Sequence, residues 1–296
     1  MIKNKTLKGV LLVGLGASSY GMLAIFVKMA YQEGYTTAEV SVSQFSLGLL
    51  AVLFLNIFRS LKNKNNETEI SRNQISKLIL AGTSMGFTSV FYYLSVKYVP
   101  VSIAIVLLMQ TVWIGVLLEM LLDKKKPSVQ KIFSVILTLI GTILATNLLH
   151  NNLNLDWRGF AWGLLAAASF STTMFSANRV APEISSLQRS LFMLIGGTII
   201  VILFAFITQT TPYNFSIFIK WGIILSLFGT ILPPLLLNTG FPLTGIGLGS
   251  IVSALELPVS VTMAYLLLAE KVNLGQWFGI FLIIASIVLM NIRLKK

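Results

Sequence analysis

Apolar residues in this chain fall into long uncharged blocks, not into the spaced stripes of a water-soluble helix. Blocks of about 20 residues, enough to cross the ~30 Å hydrocarbon core of a bilayer, cover 9–27, 40–58, 78–96, 98–118 and 132–149. Five more cover 159–178, 190–207, 221–240, 246–268 and 272–292. The pattern predicts an all-α membrane protein with ten transmembrane helices. The basic start ahead of the first block imitates a secretion signal, but the block is long for one and nine more follow, so it reads as the first helix. The polar stretch 63–73, with Glu67 and Glu69 among its bases, reads as a solvated linker.

A second polar run, from His150 to Trp157, divides the blocks five and five. The expected units are 1–150 and 151–296. A shift of 150 lays 9–20 on 159–170, and a shift of 146 lays Gln110 on Glu256, Val112 on Pro258, Lys124 on Glu270 and Gln130 on Gln276. Five is odd, so a first half that enters from one side ends on the other and the second half inserts upside down. Two inverted five-helix repeats follow. In carriers of this kind substrate sits near the midplane, between the repeats, beside interrupted helices.

Composition narrows the class. Of 296 residues, 55% are hydrophobic and 11% charged, too little charge to cover a soluble globule of this size. The absence of cysteine excludes disulfides, thiolate metal sites and cysteine nucleophiles. His150 is the single histidine, so a histidine zinc site is not expected. The net charge of +12 raises the question of nucleic acid. Its distribution answers it: with the amino terminus in the cytoplasm, 17 of the 22 Lys and Arg residues fall on that side and 5 opposite, as the positive-inside bias requires. Both termini are therefore expected in the cytoplasm, with no nucleic-acid partner. No glycine loop ending in Lys-Ser/Thr points to an ATP-driven pump. Neither a nucleophile elbow nor a convergent acid/base pair suggests an enzyme, and no cofactor or metal is implied.

The residue that stands out is Glu256, two positions before Pro258 in an otherwise charge-free block. An ionised group at membrane depth costs at least about 2.5 kcal/mol, so it is expected to face a bundle interior or a wet cavity. Pro258 removes a backbone donor and leaves the carbonyl of Ala254 in need of a partner. A bent helix lining a site is one reading; a neutral Glu256 that serves backbone freed by the kink is the other. Gln110 and Trp113 lie three apart, on one helix face, where the first half mirrors Glu256. An amide opposite a carboxylate could hold an ammonium or hydroxyl group, and Trp113, Tyr92 and Tyr93 could stack on a ring or cation or anchor the membrane interface. Small residues crowd the first helix of each half, with Tyr20 and Phe170 in matching places. Gln44, Asn178 and Asn238 are further polar side chains within spans, as candidate ligands or interhelical hydrogen bonds. Pro233 and Pro234 interrupt the eighth block, and with Pro258 they are the candidate hinges. Lys28, Lys97 and Arg179 sit at helix ends, where snorkelling accounts for them.

Ten blocks in two halves, the match of 9–20 to 159–170, and the stretches Ser253-Ala254-Leu255-Glu256-Leu257-Pro258 and Leu266-Leu267-Leu268-Ala269-Glu270-Lys271 resemble the drug/metabolite transporter superfamily, EamA type. The resemblance covers nearly the whole chain. It implies an inner-membrane carrier with a central cavity between the halves and no cofactor, and many such carriers export amino acids or related metabolites. Val112 stands where the family usually has proline and Lys124 where it usually has glutamate. The expected function is a secondary transporter of small metabolites working by alternating access, most simply an amino-acid exporter. The alternatives are an importer or exchanger of a nucleoside-like or cationic solute, a lipid flippase, and a membrane-embedded lipid-processing enzyme. Expected partners are a small-molecule substrate, protons as a candidate coupling ion, and the bilayer, for a monomer or homodimer.

Overall fold

The computed structural model describes residues 2–62, 70–99, 101–124, 126–146, 156–268 and 272–291. The linker residues 63–69, the run around His150, Glu270 and the side chain of Lys97 lie outside the described residues. The helices are α1 (Ile2–Gln32), α2 (Thr37–Lys62), α3 (Arg72–Tyr98), α4 (Val101–Leu108), α5 (Thr111–Asp123), α6 (Val129–Ala145) and α7 (Trp157–Arg179). They continue with α8 (Ser186–Thr208), α9 (Ile223–Ser226), α10 (Leu232–Thr244), α11 (Ile246–Ser253), α12 (Glu256–Leu268) and α13 (Leu274–Asn291). Two π-helical segments, Phe218–Gly222 and Leu227–Ile231, join α9 to its neighbours so that 218–244 forms one path. With α4–α5 and α11–α12 as single crossings, the described residues make ten passes.

The short links start helices by side-chain capping. Ser71 accepts from the backbone of Gln74 in a capping box, while Ser128, Asp156 and Ser185 each accept from a backbone N–H in the first turn they precede. These contacts satisfy donors that have no intrahelical partner. Arg158 beside Asp156 holds that carboxyl below the usual carboxylate range. Large apolar side chains such as Phe54 and Phe206 remain exposed on the outer faces, where lipid is the solvent.

The two halves interdigitate. Helix α1 packs on α10 and α12 of the second half, and α7 packs on α3, α4 and α5 of the first. Helix α8 lies against α3, as α2 lies against α9 and the π segments. Two pairs join equivalent helices, α2 with α8 and α6 with α13, and α5 of the fourth crossing packs on α11 of the ninth. The packing of α1 and of α7 on the opposite half has its counterpart under exchange of the halves, whereas that of α5 on α11 does not, and the central core draws Val13, Met109 and Val112 together with Phe170, Phe241 and Ile283.

Close approach depends on absent side chains. A Cβ on Gly82 would strike the carbonyl of Met193, and one on Gly196 the carbonyl of Ile79, so α3 and α8 touch backbone to backbone. Helix association in lipid relies on such contacts, since hydrocarbon gives no hydrophobic drive between helices.

The prolines sit differently from expectation. Pro233 and Pro234 are the second and third residues of α10, and the helical path runs through them after the π segment Leu227–Ile231. Pro258 is the third residue of α12. A first turn is where a missing N–H costs least. The ninth crossing breaks earlier, at Ala254 and Leu255, and the carbonyl of Ala254 accepts from the N–H of Leu257 at 3.2 Å. Glu256 therefore has no freed carbonyl of Ala254 to serve.

Candidate functional site

The fourth and ninth crossings have the same construction. Each is a helix of 8 residues, a two-residue break and a helix of 13 residues. From Val101 to Ile246 and from Thr111 to Glu256 the offset is 145, one less than the shift that lays Gln110 on Glu256. In the fold the mirror of Glu256 is Thr111.

Glu256 opens α12 and is half-buried. Gly21 of α1 abuts its carbonyl, since a Cβ there would strike Glu256 O. That approach puts Tyr20 within electrostatic reach of the carboxylate, and Tyr92 of α3 reaches it from another side. Among the described residues no hydrogen bond or ion pair engages the Glu256 side chain.

Tyr20 also borders a cavity between α1, α3, α7, α8 and α10, of which Glu256 itself is not a lining residue. Tyr20, Phe170, Met174, Met193, Asn238 and Phe241 are among its walls, and Pro234 borders it. Its room is about 10 Å³, enough for roughly one water. Tyr20 and Phe170, paired by the shift of 150, meet here edge to face at 6.0 Å between ring centres. Asn238 is 3% exposed; its Nδ2 donates to Ser190 Oγ at 2.9 Å, while its Oδ1 is buried without a partner.

Other candidates lie elsewhere. Gln110 Nε2 donates to the carbonyl of Val106 at 3.0 Å and Gln110 Oε1 accepts from Trp113 Nε1 at 2.9 Å. The pair satisfies itself, Trp113 is 39% exposed, and neither residue lines the cavity. Tyr93 bridges Tyr92 and Tyr31, at 6.1 and 6.3 Å between ring centres. Asn178 Nδ2 donates to the carbonyl of Phe241 at 2.7 Å. Gln44 is buried against Gly229, in the π segment, with its Oε1 unpartnered.

One buried cation is not singled out by the sequence. Arg189, one of the 17 basic residues assigned to the cytoplasmic side, is 1% exposed. Its Nε donates to the carbonyl of Val180 at 3.1 Å, Nη1 to Asn238 at 2.7 Å, and Nη2 to Ala177 at 2.5 Å and Ser176 at 3.3 Å. The signal that could have found it is Pro242 inside α10, which cannot donate to the carbonyl four residues back, that of Asn238. Similarly Ser19 Oγ of α1 donates at 3.0 Å to the carbonyl of Phe228, five residues before Pro233 within the π segment. Two proline-orphaned carbonyls of one crossing are thus served by side chains of neighbouring helices. At one end of the bundle Lys131 Nζ pairs with Glu119, whose carboxylate lies against Gly247 at the start of α11. Among the described residues, no three His, Cys, Asp or Glu groups gather as a metal site would require.

Comparison with known proteins agrees with this arrangement. Residues 7–147 and 157–292 each match the EamA-like transporter family. The uncharacterized transporter sll1319 of Synechocystis sp. (strain ATCC 27184 / PCC 6803 / Kazusa) is 24% identical over 313 residues, spanning 98% of this chain and 95% of that protein. A solved structure described only as a crystal structure of a protein superposes with a TM-score of 0.79, covering 95% of this chain and 96% of that one at 11% identity. At that identity the likeness speaks for the fold alone.

Proposed function

The chain belongs to the EamA-like transporter family, and from that premise we propose that it is a secondary transporter carrying a small amphipathic metabolite, an amino acid or close relative, outward across the cell inner membrane. Both termini are placed in the cytoplasm by the distribution of basic residues. The observation that carries the reading is the Tyr20–Phe170 contact. Equivalent aromatics of the two repeats meet at the wall of the inter-repeat cavity, and Tyr20 is within electrostatic reach of a carboxylate that has no hydrogen-bond or ion-pair partner among the described residues. Solute held there is exposed to one side or the other as the repeats rock about the site. Glu256 and the side-chain Oδ1 of Asn238, unpartnered among the described residues, suit an ammonium or hydroxyl group, and the rings and methionines suit an apolar side chain. A nucleoside-like or cationic solute is the second reading, favoured by the run of rings Tyr92, Tyr93 and Tyr31 that leads away from Glu256.

Thermal stabilisation of the purified protein by a metabolite panel tests this. A ligand at 100 times its Kd adds about 2.7 kcal/mol to the native state. Stabilisation by an amino acid that is lost in Tyr20→Ala is the expected result. A stabilising compound whose effect survives both Tyr20→Ala and Phe170→Ala would move the site out of this cavity.

A further inference from the structure

We propose that Arg189 is the seal that closes the inter-repeat cavity on the side of the membrane where α8 begins, so that solute enters from that side only once the guanidinium lets go. The inference rests on the reading of this cavity as the solute path. Two of the four carbonyls that Arg189 holds belong to residues of the cavity wall, Ala177 of α7 and Asn238 of α10. Met193, one turn further along α8, is a wall residue as well. The guanidinium therefore lies beneath the cavity and ties together the three helices that form its floor. Helix α7 approaches its end at Ala177 and the crossing 218–244 is in its second half at Asn238, so the tie closes one mouth and leaves the other untouched.

The chemistry suits a seal that opens. Among the described residues no carboxylate pairs with Arg189, and burial of an uncompensated cation is costly. Its hydrogen-bonded compensation comes from carbonyl dipoles: those of Ser176, Ala177 and Val180, at the negative end of α7, and that of Asn238, left open by Pro242, with the exposed Glu183 adding a favourable charge from a distance. Each is replaceable by water once α10 moves, and no buried anion is stranded when the cation departs. The planar fork reaches two helices at once, which a lysine ammonium cannot do in the same way. The same move frees Asn238, whose side chain Ser190 holds from the next position of α8. Arg189 and Ser190 thus grip the backbone and side chain of one cavity residue and set where its carbonyl points.

The cysteine-free chain gives a test that needs no solute. Ala177→Cys places a thiol on the cavity wall, and a membrane-impermeant maleimide is applied to right-side-out and to inside-out vesicles. In the otherwise unaltered chain the thiol is expected to react slowly from both faces. With Arg189→Gln added, labelling should rise at least tenfold from the face where α8 begins and stay slow from the other. An unchanged rate in a monodisperse, folded variant overturns the proposal, as does an equal rise from both faces, which marks general loosening. If the glutamine variant does not fold, Arg189→Lys carries the test: an increase of at least threefold from the one face supports the seal, and the parent's rate overturns it. The solute-path reading fails on different data, a stabilising metabolite indifferent to both Tyr20→Ala and Phe170→Ala.

Discussion

Glu256→Gln separates a working carboxylate from a scaffolding one. The substitution keeps the shape and a hydrogen-bonding end and removes the capacity to ionise. Because the side chain has no hydrogen-bond or ion-pair partner among the described residues and the carbonyl of Ala254 is already taken by Leu257, glutamine forfeits no internal contact. Stability should therefore fall by no more than about 1 kcal/mol, the worth of one ordinary hydrogen bond. If the acid is charged in the folded protein, removing it relieves a cost of about 2.5 kcal/mol at membrane depth and the variant gains stability. Transport should respond in the opposite sense. Proteoliposomes holding the variant, loaded with the metabolite found by thermal stabilisation, should lose the dependence of net flux on an imposed pH gradient, or lose affinity for a cationic group. Glu256→Ala should lose the same function and more stability, since it also deletes side-chain volume. A glutamine variant that matches the parent across pH and gradient would make Glu256 a packing residue. A loss of more than 2 kcal/mol would reveal a partner that the geometry lacks and would refute the reasoning from the other side.

Two further outcomes are expected. Gly196→Val should lower the thermal midpoint by the equivalent of about 1–3 kcal/mol, as overpacking does, because its side chain meets the backbone of Ile79 and not a side chain that can turn aside; an unchanged midpoint would mean that α3 and α8 part freely. For orientation, single cysteines replacing Lys126 and Thr211, both exposed and at opposite ends of the bundle, should react with an impermeant maleimide only in inside-out and only in right-side-out vesicles, respectively, and the reverse pattern would invert the topology.

The crossings could be read from sequence because lipid imposes a length, and a stretch such as 190–207 satisfies it whatever its neighbours. The Tyr20–Phe170 contact could be anticipated because inversion brings equivalent residues of the two halves to a common axis. The break in the ninth crossing was misplaced by the proline rule: Pro258 marks a first turn and not a kink, which only the backbone of Ala254 and Leu255 reveals. Overlaying polar residues put Gln110 opposite Glu256, yet the equal helix lengths on either side of the breaks set the register one position away. Arg189 was invisible for a different reason. A basic residue near a helix start looks solvated in any one-dimensional count, and its burial depends on Pro242 more than fifty residues later, met through the packing of α8 on α10. The glycines of α3 and α8 were passed over because the first helices of each half are richer in small residues, although backbone contact needs only two or three in the right place.

The corrected register also says where chemistry departs from symmetry. Gly21 of α1 touches the backbone of Glu256. Under the shift of 150 its counterpart is Ser171 of α7, and Ser171 Oγ shares a hydrogen bond of 2.7 Å with Thr111 Oγ1, the counterpart of Glu256. The contact is the same in both halves and its contents differ. In the first half two hydroxyls satisfy each other, and Thr111 is wholly buried. In the second half the glycine supplies no hydroxyl, and Glu256, whose backbone it meets, is half-buried with no side-chain hydrogen bond or ion pair among the described residues. A serine at position 21 would have no room beside Glu256 O, so the pairing that quenches the first site is sterically closed to the second. On the proposed mechanism the duplication supplies the frame in which the repeats rock against each other, and the group that would exchange a proton or hold a cation, Glu256, sits on the ninth crossing opposite the hydrogen-bonded hydroxyl of Thr111 on the fourth. With an ionisable group at this position in one repeat alone, removing that single carboxylate is expected to abolish any coupling and not merely halve it.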